Sequence, residues 1–400
     1  MPSSSGRNST SPVRSLQIID GVDNQAPGLN FSLGNFLGVS ELDINGVELV
    51  AGALSVNPEV ALESGRQLFL DEDRIYTDYK TMLEKEAAMP ANKRIDFVTI
   101  VTPNFVHFDP AMMALDKGFN VVIEKPITFS LEEAKLLKAK VEETGLSLLL
   151  CHTYNGYPMV KQAKRMLQQG ILGKIRKVYV EYPQGWLSTL LEKTGQTQAA
   201  WRTDPKRSGK AGSMGDIGTH AFNLAEYVTG LKVTSICSNV NTIVEGRMLD
   251  DDGAAFLRFE NGASGVLMAT QIAAGEENNV KIRVYGEKGG LEWKHEDTNT
   301  LLVKWLDKPV EIYRAGTGYL DSFASHNCRT PAGHPEGFLE AFANLYRNFV
   351  LTVRAKINGE TPKPEWLDFP GVDEGIRGMA FIENIIESGK SETKWTPFTV

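Results

Sequence analysis

Residues 212–223, GSMGDIGTHAFN, place a carboxylate and an imidazole one helical turn apart. Asp216 and His220 lie at the start of an apolar stripe of helical period that Gly230 ends. Side chains at i and i+4 share one face of a helix, so both can contact one small molecule. In the alternative interpretation the acid only stabilises the helix start and the histidine is satisfied within the protein. The two residue types alone leave both interpretations open.

A lysine follows an apolar run at residues 120–126, NVVIEKP. Pro126 cannot donate to a strand ladder, so we expect the strand to end there and to leave Lys125 at the carboxyl edge of a sheet. Glu124, Lys125 and Pro126 are therefore candidate cofactor contacts, and burial or a neighbouring positive charge would lower the pKa of the lysine. A solvated lysine in a loop is the alternative.

The run VTPNFVHF at residues 101–108 ends another predicted strand in the same manner. Thr102, Pro103 and Asn104 would line the same sheet edge and contact the same cofactor. His107 would start the next helix. We include it among the candidate cofactor contacts but favour a structural role, because a histidine at a helix start often only packs or forms hydrogen bonds.

Several polar aromatic residues suit a hydroxyl-rich ring, and each has a structural alternative. Trp201 and Arg202 precede Asp216 in a polar, glycine-containing loop. They form either one wall of a pocket or a packed anchor beside a surface charge. The others are Tyr154, Tyr157 and Trp186. The substrate that they indicate is a sugar, a polyol or a cyclic derivative, and Tyr154, Trp201 and Arg202 are the predicted contacts.

The elements that must position these residues alternate between strand and helix from about residue 15 to residue 155. The strand runs are LQIID, VELVAGAL, IDFVTIVTP, NVVIEKP and LSLLLCHTY. They are almost continuously apolar, as strands buried on both faces are. Asp109 can cap one intervening helix, with Pro110 at its first position, and Ser130 with Glu133 forms a capping box for another. The pattern predicts a doubly wound parallel sheet of the Rossmann type, whose ligands bind at the carboxyl ends of the strands.

After about residue 173 strands follow one another with little helix between them. Their runs are IRKVYVEY, VTSICSNVN, AAFLRFE, SGVLMATQI, VKIRVYG, LLVKWL and VEIYR. Residues 260–263, ENGA, give a hairpin turn signal. We therefore expect an open, largely antiparallel sheet, followed by helices near residues 335–356 and 371–389. The Asp216/His220 helix lies between the first and second of these strands.

Four hundred residues are too many for one ordinary domain. We predict a disordered N-terminus at 1–14, a first domain with the parallel sheet at 15–155, and a second domain of α/β type at 156–400.

The composition excludes several classes of partner. The formal net charge is −8 without a basic cluster, which argues against nucleic acid and anionic membranes. No apolar run approaches the roughly 20 residues that span a bilayer, and the polar, Ser-rich start is not a secretory signal. Three widely spaced cysteines without a CxxC pair indicate neither a metal site nor a disulfide framework. We expect a cytoplasmic protein.

The first predicted strand is not followed by the G-x-G-x-x-G sequence that lets backbone amides approach a pyrophosphate. Gly21 and Gly28 are the candidate cofactor-binding glycines, with Gly34 and Gly38 further on. Gly28 and the polar residues after it can build a looser anion-binding loop, or the departure means weak cofactor binding or none.

The end of the second strand also carries candidate cofactor contacts, Ser55 and Asn57. No Asp or Glu stands where a ribose 2′-hydroxyl would need one, and Arg66 lies further on. NADP is therefore possible and NAD is not excluded.

Taken together, the chain resembles the Gfo/Idh/MocA family, the relatives of glucose–fructose oxidoreductase and inositol dehydrogenase. The matching stretches are TPNFVH at 102–107, EKP at 124–126, GILGKIRKV at 170–178, WR at 201–202, GSMGDIGTH at 212–220, VYGEKGGLEW at 284–293 and GIRGMAFIENIIESGKSETKW at 375–395. The resemblance implies that residues 15–155 form a dinucleotide-binding Rossmann domain. It implies that residues 156–400 form a substrate-binding and oligomerisation domain with an open mixed sheet, through which subunits pair as a homodimer or homotetramer. It also implies NAD or NADP as cofactor, with Lys125, Asp216 and His220 as the catalytic set. The region of His334, in AGHPEGFLEAFANLY at 332–346, would close near the substrate.

The implied reaction is hydride transfer between a nicotinamide and a secondary alcohol or ketone. His220 would exchange the hydroxyl proton, since the reference pKa of imidazole, about 6.5, suits neutral pH. Lys125 would bind the reacting oxygen beside the nicotinamide, and Asp216 would hold a neighbouring hydroxyl. Two alternatives come from other classes: a hydrolase that cleaves glycosidic bonds by transient oxidation with retained cofactor, and a non-catalytic regulator that binds the cofactor.

Overall fold

The structure is a computed structural model that describes residues 13–18 and 46–400. Gly21 and Gly28 lie outside these residues, as does the predicted disordered N-terminus at 1–14 except for Val13 and Arg14. Those two residues begin a strand, so the predicted start of the first domain at residue 15 is too late.

The described residues form the following elements. The strands are β1 (Val13–Ile18), β2 (Val47–Ala53), β3 (Ile75–Tyr76), β4 (Phe97–Ile100), β5 (Asn120–Ile123), β6 (Leu148–Leu150), β7 (Lys177–Pro183), β8 (Val233–Asn241), β9 (Asp252–Phe259), β10 (Ser264–Thr270), β11 (Lys281–Tyr285), β12 (Gly289–Lys294), β13 (Thr300–Trp305), β14 (Glu311–Arg314) and β15 (Thr396–Pro397). The α-helices are α1 (Pro58–Gln67), α2 (Tyr79–Ala88), α3 (Phe108–Asp116), α4 (Leu131–Thr144), α5 (Pro158–Gln168), α6 (Thr197–Arg202), α7 (Pro205–Ser208), α8 (Thr219–Thr229), α9 (Ser322–His326), α10 (Phe338–Ile357) and α11 (Val372–Lys390). None of the described helices is both long and apolar enough to cross a membrane.

Contacts divide the chain into two compact units. The first unit comprises the described residues up to Cys151 together with Phe342–Asp373, and the second comprises His152–Ala341 and Glu374–Val400. The prediction had placed everything after residue 155 in one domain. Most of α10 belongs to the first unit because its apolar face packs on the first sheet. That core consists of Val13, Phe97, Val122, Leu149 and Cys151 with Phe342, Ala343, Leu345, Tyr346, Phe349, Val350 and Val353.

The first unit contains a six-stranded sheet in the order β3-β2-β1-β4-β5-β6, and all of its neighbouring strands pair in parallel. Every residue of β4 and β5 is buried, as the continuous apolar runs predicted. The strand order reverses beside β1, as in doubly wound folds. The predicted Rossmann-type sheet is confirmed.

Two helix starts in this unit were predicted, one correctly. The Ser130 hydroxyl oxygen accepts a hydrogen bond from the Glu133 N–H, and the Glu133 carboxylate accepts one from the Ser130 N–H. Helix α4 therefore has the predicted capping box. The prediction for Asp109 was wrong. A 3-10 turn at Asn104–Val106 leads directly into α3, so the helix already begins at Phe108 and Asp109 lies inside its first turn.

The second unit contains a nine-stranded sheet in the order β14-β13-β12-β11-β7-β10-β9-β8-β15. The strand pairs are antiparallel, as predicted, except that β7 and β10 are parallel. This exception arises because the β9–β10 hairpin, whose turn at 260–263 was predicted, inserts between β8 and β7. Strand β12 was missed, since its two leading glycines weaken the strand signal.

Helices cover one face of this sheet. Helix α8 packs against β7, β10 and β11, and α5 packs against α8, β12 and β13. Side chains on β7, β9, β10 and β11 alternate between this buried face and the opposite one. The helix that carries His220 is therefore fixed on the middle of a sheet.

Candidate active site

In the first unit, the predicted cofactor contacts gather at the carboxyl ends of β4 and β5. Thr102 and Asn104 are buried after β4, with Pro103 between them, and Glu124, Lys125 and Pro126 follow β5 partly exposed. The carboxyl edge of a parallel sheet is where ligands of this fold bind. The ends of the two apolar runs in the sequence therefore predicted correctly that these residues share the carboxyl edge of the first sheet.

His107 joins the two strand ends. Its ring is fully buried, with Nδ1 2.7 Å from the Pro126 carbonyl oxygen and Nε2 2.8 Å from the Thr102 carbonyl oxygen. Burial lowers the pKa of His107, which favours a neutral ring. These contacts support the structural role that we favoured, in which His107 holds the residues that flank Lys125.

The residues of this edge fit a bound dinucleotide. The Thr102 hydroxyl is buried, and no hydrogen-bond partner for it exists among the residues that the structure describes. A buried polar atom without a partner is costly, so a ligand group at this position would satisfy it.

Ser55 and Asn57 lie at the end of β2 and shape the start of α1. The Asn57 side chain accepts from the N–H groups of Glu59 and Val60, and the Ser55 hydroxyl oxygen accepts from the Asn57 N–H at 3.1 Å. Pro58 is at the first position of the helix. Asn57 therefore caps α1 and Ser55 holds the Asn57 backbone, and the predicted contact of both residues with the cofactor stays a prediction.

In the second unit, Asp216 lies in a single π-helical turn, Met214–Gly218, directly before α8. Such turns are frequently found at functional sites. Asp250 holds the approach to this turn, because its carboxylate accepts from the N–H groups of Gly212 and Met214, both at 2.7 Å. A Cβ atom at Gly212 would collide with the Asp250 carbonyl oxygen, which explains the glycine at this point.

Burial raises the pKa of Asp250 to about 6, although the two N–H donors partly offset that rise. A carboxyl whose pKa is higher in the folded protein than in the unfolded chain binds its proton more tightly when folded. Its contribution to the free energy of unfolding therefore falls as the pH rises from about 4 to about 6, by about 3 kcal/mol, and is constant above that range.

We expect the difference in unfolding free energy between the wild type and Asp250→Asn to follow this course. Urea unfolding between pH 4 and pH 7 measures it. A difference that stays constant across this range would show that folding does not raise the pKa of Asp250.

The Asp216 carboxylate contacts the side chains of Gln271 and Arg202. Its Oδ2 accepts from the Gln271 Nε2 at 2.9 Å and lies 3.5 Å from the Arg202 Nε. Arg202 in turn stacks on the Trp201 ring at 4.3 Å. The structure therefore brings the predicted residues Arg202 and Asp216 together, with Trp201 supporting the guanidinium.

His220 meets a second histidine. Its Nδ1 lies 3.2 Å from the Nδ1 of His152, and the two rings are nearly perpendicular. The Tyr154 ring lies edge-on to His220 with 5.2 Å between centroids, and the Tyr182 ring lies 6.2 Å away. The predicted residues Tyr154 and His220 are thus neighbours.

Two tyrosines and an asparagine beside His220 form a closed ring of hydrogen bonds. The Asn278 Nδ2 donates to the Tyr154 hydroxyl at 2.9 Å, and the Tyr182 hydroxyl donates to the Asn278 Oδ1 at 2.5 Å. The remaining contact, 2.6 Å between the two hydroxyls, then has Tyr154 as the donor. Burial raises the pKa of Tyr154 to about 12, so its hydroxyl stays neutral.

This ring is connected to Asp216 through two glutamines. The Gln184 Nε2 donates to the Asn278 Oδ1 at 2.7 Å, and the Gln184 Oε1 accepts from the Trp186 Nε1 at 3.2 Å and the Gln271 Nε2 at 3.4 Å. Gln271 then reaches Asp216. We call Asp216, His220 and these connected side chains the polar network: His152, Tyr154, Tyr182, Gln184, Trp186, Gln271 and Asn278.

Sequence reasoning missed most of this network. His152 follows the β6 run directly, so the strand-end signal that indicated Thr102 and Lys125 could have found it. Tyr182, Gln184, Gln271 and Asn278 have no local signal, because sheet pairing brings them together.

His334 is not part of the network. It is exposed, and its ring nitrogen lies 3.2 Å from the Pro331 carbonyl oxygen. Its contact with substrate stays a prediction. Within the described part of the chain, no cluster of three or more His, Cys, Asp or Glu side chains could hold a metal ion.

Two family profiles match the chain. An oxidoreductase family with an NAD-binding Rossmann fold matches residues 48–152, and the GFO/IDH/MocA C-terminal domain matches residues 160–292. A curated relative, the uncharacterized oxidoreductase YfiI of Bacillus subtilis (strain 168), is 30% identical over 89% of this chain and 91% of its own length.

Solved structures agree with these matches over almost the whole chain. An inositol dehydrogenase homolog from Azotobacter vinelandii in complex with NAD+ is 31% identical, with a TM-score of 0.88 over 98% of this chain and 100% of that one. An inositol dehydrogenase homolog from Azotobacter vinelandii in complex with NADH and myo-inositol is 31% identical. Its TM-score is 0.86 over 97% of this chain and 98% of that one. The protein therefore belongs to the GFO/IDH/MocA oxidoreductase family, and its first unit is an NAD-binding Rossmann fold.

Proposed function

We propose that this protein is a dehydrogenase that transfers a hydride between NAD(H) and a secondary alcohol or ketone of a sugar, polyol or cyclitol. The polar network carries the proposal: it holds Asp216 and His220, the acid and imidazole of the implied catalytic set, among donors and acceptors that suit a hydroxyl-rich ring. The myo-inositol bound by the Azotobacter vinelandii homolog makes a cyclitol the first substrate to test.

NAD supplies the hydride acceptor when it is bound. His220 accepts the proton of the reacting hydroxyl at its Nε2, because its Nδ1 already contacts His152. Lys125 donates a hydrogen bond from Nζ to the reacting oxygen and stabilises the negative charge that develops there. Asp216 accepts from a neighbouring hydroxyl and orients the ring, with Arg202 and Gln271 fixing its carboxylate.

We also propose that NAD is preferred over NADP. A 2′-phosphate requires a cation near the end of β2. Arg66 is the cation that made NADP possible in the sequence analysis. It donates through Nε and Nη2 to Glu72 Oε1 at 2.9 and 2.7 Å. Its guanidinium is thus engaged by a carboxylate.

An absorbance assay at the reduced-nicotinamide band tests the proposal. The protein is mixed with NAD+ and, in turn, with myo-inositol, other inositols, free sugars and a glycoside. Net reduction of NAD+ by a polyol or sugar is the expected result. Cleavage of the glycoside without net reduction would establish the hydrolase instead, and cofactor binding without turnover of any compound would establish the regulator.

We propose that subunits pair as a homodimer or homotetramer through the face of the second sheet that the helices leave open. Phe256 lies in the middle of β9 on this face and is 58% exposed in the single chain. The family resemblance implies pairing through this sheet, and a pair of subunits would bury this large apolar side chain.

Phe256→Glu should therefore shift the protein toward monomer, which light scattering after size-exclusion chromatography measures. Phe69→Glu is the matched control, because Phe69 is also an exposed phenylalanine, 95% exposed, but belongs to the first unit. Equal mass for the wild type and Phe256→Glu would contradict pairing through this face.

We further propose a cytoplasmic location. The cysteines of the chain, Cys151, Cys237 and Cys328, are all free thiols. Free thiols are typical of proteins in reducing compartments.

A further inference from the structure

Arg247 is almost completely buried in the second unit, although it takes no part in the proposed mechanism. Its side chain is 1% exposed. Nε and Nη2 donate to the two carboxylate oxygens of Glu192 at 2.9 and 3.0 Å, and Nη1 donates to the Asp251 Oδ2 at 3.2 Å. Nη1 and Nη2 also donate to the carbonyl oxygens of Leu187 and Thr189 at 2.9 and 2.8 Å. The N–H donors of the planar guanidinium are thus matched by acceptors around its whole edge.

Arg247, Glu192 and Asp251 form a clamp between two segments that are far apart in the sequence. Glu192 belongs to residues 184–193, which follow β7, whereas Arg247 and Asp251 belong to residues 242–251, between β8 and β9. The Asp251 carboxylate also accepts from two backbone N–H groups of its own segment, at 2.8 and 2.9 Å. Breaking a buried ion pair leaves a buried charge without its partner, which is costly. The clamp therefore fixes the two segments to each other.

The two clamped segments hold the backbone of Gln271 between them. The Gln271 N–H donates to the Asp251 carbonyl oxygen at 2.9 Å, and the Gln271 carbonyl oxygen accepts from the Leu187 N–H at 3.0 Å. Arg247 donates to both of these neighbours. From this fixed backbone the Gln271 side chain extends to Asp216, where its Nε2 donates to Oδ2 at 2.9 Å.

The segment 242–251 also holds the turn that carries Asp216. Asp250, the neighbour of Asp251, accepts with its carboxylate from the N–H groups of Gly212 and Met214, which lead into the π-helical turn. One short segment therefore fixes both the backbone of Asp216 and the glutamine that bonds its carboxylate.

We propose that Arg247 is a positioning residue that sets the Asp216 carboxylate for the substrate, and that it thereby determines which arrangement of ring hydroxyls the protein accepts. Arg247 acts through Gln271 and the π-helical turn. A functional group discriminates between isomers only when its supporting residues hold it to within about 0.5 Å. The inference rests on the proposed function, in which Asp216 accepts from a ring hydroxyl.

Arg247→Lys tests the role, because an ammonium keeps the charge but cannot reproduce the planar fork of donors. The probes are myo-inositol and scyllo-inositol, which differ in the configuration of one hydroxyl. We expect kcat/KM for the preferred isomer to fall about 10- to 100-fold, the scale for a misplaced orienting group, and the ratio of the two kcat/KM values to move toward one. The KM for NAD+ should change little, because the predicted cofactor contacts lie in the first unit.

The ratio separates positioning from stability. A loss of folded protein lowers both kcat/KM values by the same factor and leaves their ratio as it was. An unchanged ratio in the Arg247→Lys protein would therefore overturn the role.

Glu192→Gln is a second variant, and it decides the question alone where Arg247→Lys does not fold. The Glu192 side chain is 10% exposed, and glutamine keeps an oxygen acceptor without the charge, so the ratio should move in the same direction by less. Arg165→Lys is the matched control, since the Arg165 Nε donates to the Asp321 Oδ1 at 3.1 Å in the same unit but outside the polar network. An equal change of the ratio in this control would contradict a specific role for Arg247.

Hydrogen exchange of the protein without substrate tests the clamp itself. The backbone N–H groups of Leu187 and Gln271 should exchange faster in Arg247→Lys and in Glu192→Gln than in the wild type, whereas those of β12 in the same sheet should be unchanged. Wild-type exchange at Leu187 and Gln271 in both variants would overturn the inference. Because this readout needs no turnover, its failure is distinct from failure of the proposed dehydrogenase activity.

Discussion

Lys125→Ala should lower kcat for NAD-dependent alcohol oxidation by about two to four decades. The reacting oxygen becomes more negative as its proton leaves, before the hydride departs and the C=O bond forms, and an ammonium donor stabilises that charge best where water is scarce. Lys125 follows β5 at the sheet edge and is partly buried beside Glu124, so its placement is fixed by the strand rather than by a mobile loop.

The loss in kcat should greatly exceed any loss in NADH affinity, which nicotinamide fluorescence measures, because Lys125 is only one of several predicted cofactor contacts. Lys135→Ala is the matched control, since Lys135 is an exposed lysine of α4 in the same unit. Lys125→Met keeps the length of the side chain without the charge and should be as slow as Lys125→Ala. A Lys125→Ala enzyme within a few-fold of the wild type would remove the lysine from the mechanism.

His220→Ala should lower kcat by about two to four decades as well. A neutral imidazole accepts the hydroxyl proton, so the wild-type oxidation rate should decline as the pH falls and the ring becomes protonated. The variant should lose this acid limb together with its rate.

Added imidazole provides the positive control for His220→Ala. A small base that diffuses into the space left by the side chain should restore part of the turnover, and circular dichroism should show an unchanged fold. An acid limb that persists in the variant would assign the proton acceptor to another group.

Local sequence signals were sufficient for the residues placed by a single strand or helix. Thr102 and Lys125 follow continuous apolar runs, and such runs end at a defined sheet edge. Asp216 and His220 are one turn apart on a stretch with a clear helical period, although the π-helical turn before α8 has no signal of its own. The capping box of Ser130 and Glu133 could be predicted equally well, because the two residues are three positions apart in the sequence.

What the sequence did not show depends on pairing between distant segments. Gln271 reaches the polar network because β10 lies beside β7 in parallel, and Asn278 reaches it because β11 pairs with the other edge of β7, an order that no local pattern specifies. Likewise, the apolar stripe of α10 predicts a buried helix but not which sheet buries it, and Phe349 packs on the first sheet. Such choices are made by tertiary contacts, not by propensity.

Deuterium transfer tests the central claim most directly. The protein is incubated with NAD+ and a substrate from the panel that carries deuterium on its hydroxyl-bearing carbons, and the nicotinamide product is examined by mass spectrometry. The account predicts one deuterium atom on the reduced nicotinamide for each molecule of alcohol oxidised, and a slower rate than with the undeuterated substrate. Reduced cofactor without deuterium, or no reduced cofactor with any cyclitol, polyol or sugar, would contradict it.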